Sequence, residues 1–143
     1  MSYLKDRTIV VGVCGGIAAY KVCELVRLYA DAGAKVHVLM THGAQEFVRP
    51  LTFETLTGNP VMTEVFTLHQ SKIWHIDLPN KADVVVVAPA TANIVARMAQ
   101  GMADDPVTTF LLATKAPVLV APAMNTNMLE HPSVRGNMSR LME

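Results

Sequence analysis

"DVVVVAPATANI", Asp83–Ile94, is a run of four valines that stops at Ala-Pro-Ala and turns polar. "PVLVAPAMNTNM", Pro117–Met128, repeats the arrangement further along the chain. Short β-branched runs with polar borders read as strands buried on both faces, the kind found in parallel sheets. Working outward, "RTIVVGV" (Arg7–Val13) is a third such run, and "AKVHVLM" (Ala34–Met40) alternates as a fourth strand would. Between these two, Ile17, Tyr20, Val22, Leu25, Val26, Leu28 and Tyr29 recur at helical spacing, with Gly33 placed as a C-terminal cap. Thr41 is placed to cap a short helix through Phe47. Pro50–Pro60 reads as a brief helix broken at Gly58, and 61–79 shows only weak periodicity. Strands are expected at Asp83–Ala88 and Pro117–Ala121. Helices are expected near Ala92–Gln100, near Pro106–Thr114 and from about Thr126. Alternating strands and helices imply right-handed crossovers. The expected fold is therefore α/β: one domain over 1–143, an open doubly wound parallel sheet with helices on both faces.

Composition narrows the function classes. Apolar residues make up 51% of the 143 and charged residues only 17%, where an ordinary soluble domain has roughly a quarter charged. No apolar run approaches the ~20 residues of a spanning helix, so the excess belongs in a covered sheet and in subunit contacts. Nine methionines suit adaptable packing. Twelve basic and twelve acidic residues cancel, which argues against a nucleic-acid or anionic-membrane partner. With no secretory leader pattern the chain reads as cytoplasmic. Cys14 and Cys23 have no metal-ligand spacing, and no metal site is expected.

In a sheet of this class ligands lie beyond the carboxyl ends of the strands. Four loops exit there: "GVCGGIA", "MTHGA", "APATANI" and "APAMNTN". A proline tends to end a ladder because it has no N–H, and small alanines leave room for something flat. The glycine-rich turn at Gly15 and Gly16 suits a phosphate at a helix start, although such turns are as often structural. The dinucleotide pattern G-x-G-x-x-G is missing, the second strand ends in Met40-Thr41 without a ribose-binding carboxylate, and no P-loop lysine is present. A mononucleotide with one phosphate, such as FMN, stays open, with Thr41, Thr91 and Asn93 suited to a ribityl chain and its phosphate. An isolated histidine such as His75 is more often a surface or satisfied core residue. Asn125 can be no more than a helix cap, and Met124 no more than packing.

"GGIAAYK", "HIDL", "APATANIVARMAQGMADD" and "PAMNTNM" occur together in this order. In that combination the chain resembles the flavin-dependent cysteine decarboxylases, and among them the phosphopantothenoylcysteine decarboxylase branch, over nearly its whole length. The resemblance implies a Rossmann-like flavoprotein that binds FMN between the subunits of a homotrimer or a larger trimer-based assembly. It implies FMN contacts at Gly15, Gly16, Ile17, Thr41, Thr91, Ala92, Asn93 and Ala123. His75 matches the active-site histidine and Asn125 the asparagine that holds the substrate carboxylate, with Met124 beside it.

The implied reaction converts 4′-phospho-N-pantothenoylcysteine to 4′-phosphopantetheine in coenzyme A biosynthesis. A cysteine carboxylate has no electron sink of its own. Oxidation to a thioaldehyde supplies one, CO2 leaves, and re-reduction completes the turnover. The family also carries a flap with a proton-donating cysteine beyond P-A-M-N, and often a fused synthetase domain. The chain ends at "SRLME", so the resemblance implies a domain truncated before that flap and impaired in the reductive half-reaction. Leu129 stands where many relatives carry an aromatic residue. Two other readings share the fold: a peptidyl-cysteine decarboxylase of the lantibiotic type, and a non-catalytic FMN-binding regulatory homologue.

Overall fold

The structure is a computed structural model, and it describes residues 2–66 and 74–143, with the side chains of 74–76 outside the description. Four strands, β1 (Thr8–Val13), β2 (Lys35–Met40), β3 (Val84–Ala90) and β4 (Val118–Pro122), form one sheet in the order β2-β1-β3-β4. Every pairing is parallel. The helices are α1 (Ala19–Asp31), α2 (Pro50–Thr57), α3 (Trp74–Lys81), α4 (Ala92–Gln100), α5 (Pro106–Ala113), α6 (Thr126–Glu130) and α7 (Pro132–Leu141).

β1, β2 and β3 are nearly all apolar because both faces are covered, whereas β4, expected to be buried in the same way, is largely exposed. Successive residues point to opposite faces, so Ile9, Val11 and Val13 pack with Val36, Val38, Val86 and Ala88 beneath Ala19, Val22 and Val26 of α1 and Phe53 of α2. Val10, Leu39, Val85 and Val87 face the other way, against Ile94 and Val95 of α4 and Val107 and Phe110 of α5. The doubly wound arrangement expected from the strand pattern is present. Register is pinned at the amino end of β1, where the Thr8 N–H donates to the Asp83 carboxylate at 2.7 Å and the Asp83 N–H to the Thr8 carbonyl at 2.8 Å. The Thr8 N–H and, after it, Arg7 hold the Asp83 carboxyl below its ordinary range. β4 pairs only with β3, and Leu119 is 56% exposed.

Four further details differ from the expectations. β3 does not stop before Pro89. Its register shifts between Val87 and Ala90, which passes the residue lacking an N–H, and pairing resumes at Ala90–Pro122. The turn after β2 is a 3-10 turn, Gly43–Glu46, which Thr41 still caps by accepting the Ala44 N–H at 3.2 Å. The last helix divides in two at His131, whose Nδ1 accepts the Ser133 N–H, with Pro132 opening α7. Helix α3 falls in the stretch of weak periodicity and contains Pro79, which removes one intrahelical bond. No helix among the described residues is long and apolar enough to cross a membrane.

Candidate functional site

The strand order reverses between β1 and β3, since one crossover leads from β1 to β2 and a later one from β3 to β4. Loops leaving the carboxyl ends of strands on the two sides of such a reversal separate and leave a crevice. Here it is a cavity of about 740 Å³, within the ordinary range for small-molecule sites. Its wall is made by all four loops named from the sequence. Gly15, Gly16 and Ile17 follow β1, Thr41 follows β2, Thr91, Ala92 and Asn93 follow β3, and Ala123, Met124 and Asn125 follow β4. His75 lies in the first turn of α3, but its side chain is outside the described residues.

The cavity lining combines polar donors with apolar side chains. At the start of α1 the Gly16 N–H donates to the Cys14 carbonyl and the Ala19 N–H to Gly16. The Ile17 and Ala18 N–H groups have no such partner among the described residues. These unpaired donors and the helix dipole favour an anion. Gly15 and Gly43 bring two loop backbones together there; a Cβ on Gly15 would lie 2.8 Å from the Gly43 carbonyl carbon. Thr41 accepts the Ala44 N–H and Thr91 the Ile94 N–H, at 3.2 and 3.1 Å. Each hydroxyl proton stays free to donate. Ala92, Ile94, Ala123, Met124 and Met128 give the rest of the wall an apolar character.

Asn125 is the N-cap of α6, its Oδ1 accepting the Asn127 N–H at 2.8 Å. The capping role open at the sequence level is therefore real. It also leaves the Nδ2 hydrogens as the group the side chain can offer to the cavity. Asn93 Oδ1 accepts from Arg97 Nε at 3.4 Å, and Arg97 is ion-paired with Asp104. The hydrogen bond from Arg97 to Asp104, then their opposite charge, holds the Asp104 carboxyl low and the Arg97 guanidinium high. Asp105 caps α5 through the Val107 and Thr108 N–H groups. Beneath the wall, burial and then the charge of Asp105 push the Cys14 thiol up to about 12.

Cys14, His42, Gly43, Arg97, Asp104, Asp105 and Met128 also line the cavity, and sequence reasoning named none of them as site residues. The signals were present, for His42 and Gly43 lie inside "MTHGA" and the two aspartates inside "MADD". The described residues contain no group of His, Cys, Asp or Glu able to hold a metal.

Comparison with known proteins follows the same lines. The family model described as Flavoprotein matches residues 2–143. The coenzyme A biosynthesis bifunctional protein CoaBC of Bacillus subtilis (strain 168) is 48% identical over 141 residues, covering 98% of this chain and 35% of that protein. The chain thus spans about a third of the length of the curated relatives it matches. The solved structure of TvaF, an FMN-dependent cysteine decarboxylase from thioviridamide biosynthesis, superposes with a TM-score of 0.89 at 31% identity, covering 95% of this chain and 85% of that one. A PPC decarboxylase variant complexed with pantothenoylaminoethenethiol superposes with a TM-score of 0.85 at 26% identity, covering 96% and 78%.

Proposed function

The chain belongs to the Flavoprotein family, and from that premise we propose that it is an FMN-dependent decarboxylase acting on 4′-phospho-N-pantothenoylcysteine in coenzyme A biosynthesis. The observation that carries this reading is the convergence of four strand-exit loops on one cavity lined by unpaired backbone N–H groups, two threonine hydroxyls and small apolar side chains, in a chain 48% identical to a coenzyme A biosynthesis protein.

The residues present fit FMN. Unpaired Ile17 and Ala18 N–H groups with the Thr41 and Thr91 hydroxyls suit its phosphate and ribityl chain, and the small side chains of Ala92 and Ala123 leave room for a planar ring system. FMN, when bound, supplies the hydride acceptor and donor that a cysteine carboxylate lacks. The rest of the work falls to the protein. Asn125 is pre-oriented by its capping bond, so its Nδ2 donates to the substrate carboxylate without an ion pair that would hold the departing group too tightly. Met124 packs beside that carboxylate. His75, on α3, is assigned the proton of the substrate thiol by the family resemblance. Cys14, buried and with its pKa raised, stays a neutral thiol beneath the wall and plays no acid–base part.

Part of the site is open in a single protomer. Ile17 lines the cavity yet is 73% exposed, and Tyr20 one turn on is 60% exposed. An apolar residue left so bare at a ligand site supports completion by a neighbouring subunit, as in a homotrimer or trimer-based assembly. Following the relatives' architecture, the partner domain in the pathway is a fused synthetase, and the reaction is cytoplasmic.

Purified protein should be yellow or take up added FMN. With phosphopantothenoylcysteine it should bleach the flavin and release CO2. A preparation that refuses FMN ends this reading. Bleaching with a peptide ending in cysteine, and not with phosphopantothenoylcysteine, transfers the activity to the peptidyl class.

A further inference from the structure

A phosphate monoester carries close to two negative charges at neutral pH, so the source of positive charge in the cavity decides how it is held. The described lining contains no lysine. Its one arginine, Arg97, is committed to Asp104, and Asp105 adds another carboxylate. Setting His42 aside, the lining side chains carry a net negative charge. The α1 N-terminus contributes only the partial charge of its free N–H groups.

His42 is the remaining lining side chain able to carry a positive charge among the described residues. It begins the 3-10 turn Gly43–Glu46 but makes no capping bond, and its imidazole has no hydrogen-bond or ion-pair partner among the described residues. The adjoining Gly43 fixes its position, lying in backbone contact with Gly15, on the turn that leads into α1. An imidazole N–H can donate a charge-assisted hydrogen bond to a phosphate oxygen.

Building on the FMN reading above, we propose that His42 is the residue that makes this site select the phosphorylated flavin over riboflavin. The N–H groups of Ile17 and Ala18 and the hydroxyls of Thr41 and Thr91 position the phosphate. His42 adds the one unpaired described lining side chain able to meet the phosphate with a charge-assisted donor.

The test pairs removal of the imidazole with removal of the phosphate. Dissociation constants for FMN and riboflavin are measured by flavin fluorescence quenching on the apo forms of wild type, H42A and H42Q. The side chain is exposed, so unfolding midpoints of the three forms should coincide. H42A should weaken FMN about tenfold while changing riboflavin less than twofold, and H42Q, which keeps a donor but no charge, should fall between. Wild-type FMN affinity should drop with added salt more steeply than that of H42A. Equal losses for both flavins, or undiminished FMN binding by H42A, would overturn the role of His42 and leave the flavin site intact. Wild type that binds neither flavin would remove the site and this proposal together.

Discussion

Replacing Gly15 and Gly16 separately by alanine should give opposite results, although the two residues are adjacent and line the same cavity. A Cβ on Gly15 would stand 2.8, 3.0 and 3.1 Å from the carbonyl carbon, Cα and oxygen of Gly43. Carbon atoms at rest sit about 3.5–4.0 Å apart, so the two loops must separate by roughly 0.7 Å. The clashing atoms are backbone and cannot rotate away. Overpacking of this kind costs about 1–3 kcal/mol, and with a urea dependence of about 1–3 kcal/mol/M the midpoint should fall by about 1 M. A Cβ on Gly16 meets nothing closer than 3.7 Å, at Pro89 and Thr91, and its backbone is outside the left-handed region. There the methyl stiffens the unfolded chain, which raises stability by about 0.4–1 kcal/mol where the native conformation tolerates it. Gly16 lines the cavity, so a methyl there is expected to compete with FMN for space. Urea unfolding of the apo proteins with flavin titration of each separates the cases. Gly15→Ala should lose stability, while Gly16→Ala should raise its midpoint by up to about 0.5 M and lose FMN affinity. A Gly15→Ala protein as stable as wild type would refute the close approach of the two loops. A Gly16→Ala protein destabilised as far as Gly15→Ala would refute the steric distinction.

Asn125→Asp retains a good capping oxygen for the Asn127 N–H, so stability should change by less than about 0.5 kcal/mol while substrate binding weakens through like-charge repulsion. Unaltered substrate affinity would remove Asn125 from the carboxylate site. Burial and then the charge of Lys81 hold the His37 imidazole below its ordinary value of 6.5. The unfolded chain therefore binds a proton first as pH falls. The stability His37 contributes is complete above 6.5 and is lost below it, down through the folded value. Comparing unfolding free energies of wild type and His37→Gln from pH 7.5 to 5.5 should show a shallower slope in the variant; parallel curves would contradict this assignment. Burial also raises the Cys23 thiol, but less severely than Cys14, which is pushed to about 12. A thiol reagent at neutral pH should modify Cys23 first and reach Cys14 only on unfolding, and early modification of Cys14 by mass spectrometry would show that the loop after β1 opens.

Most of the fold was legible because its signals are local. Val84–Val87 and Ile9–Val11 are β-branched runs that burial on both faces explains, and Gly58 and Gly33 end helices as their residue type suggests, whereas β4 was read as equally buried and is largely exposed, and the Asp105 cap was not read. What else was missed depends on tertiary context. The continuation of β3 past Pro89 needs β4 alongside it to supply the shifted pairing. Helix α3 tolerates Pro79 because packing against α5 holds it, as in the bond from the Thr114 hydroxyl to the Pro79 carbonyl. In the site, the ten described residues named from the sequence all line one cavity, since motif residues follow strand ends and strand ends meet at one rim. His42, Arg97 and Asp104 belong to the same wall through approaches between loops and helices that no single stretch encodes. The glycine contact that places His42 is an example, as it joins residues 15 and 43.

The two cores draw on different parts of the polypeptide, and this bears on how the molecule comes into being. Among the described residues, the face under α1 is built mostly from residues before Thr57, with only Val86 and Ala88 joining its fully buried set from later in the chain. The opposite face takes most of its buried residues from Val85 onward. A chain emerging from the ribosome therefore holds most of one half-core while the ligand's enclosure is still unmade, because Ala123 and Asn125 are added only after β4. A ligand that needs all four loops can bind only the completed fold. Its binding acts as a final latch, adding stability in proportion to the logarithm of its free concentration, and a cell short of it would accumulate a finished but more easily unfolded apoprotein.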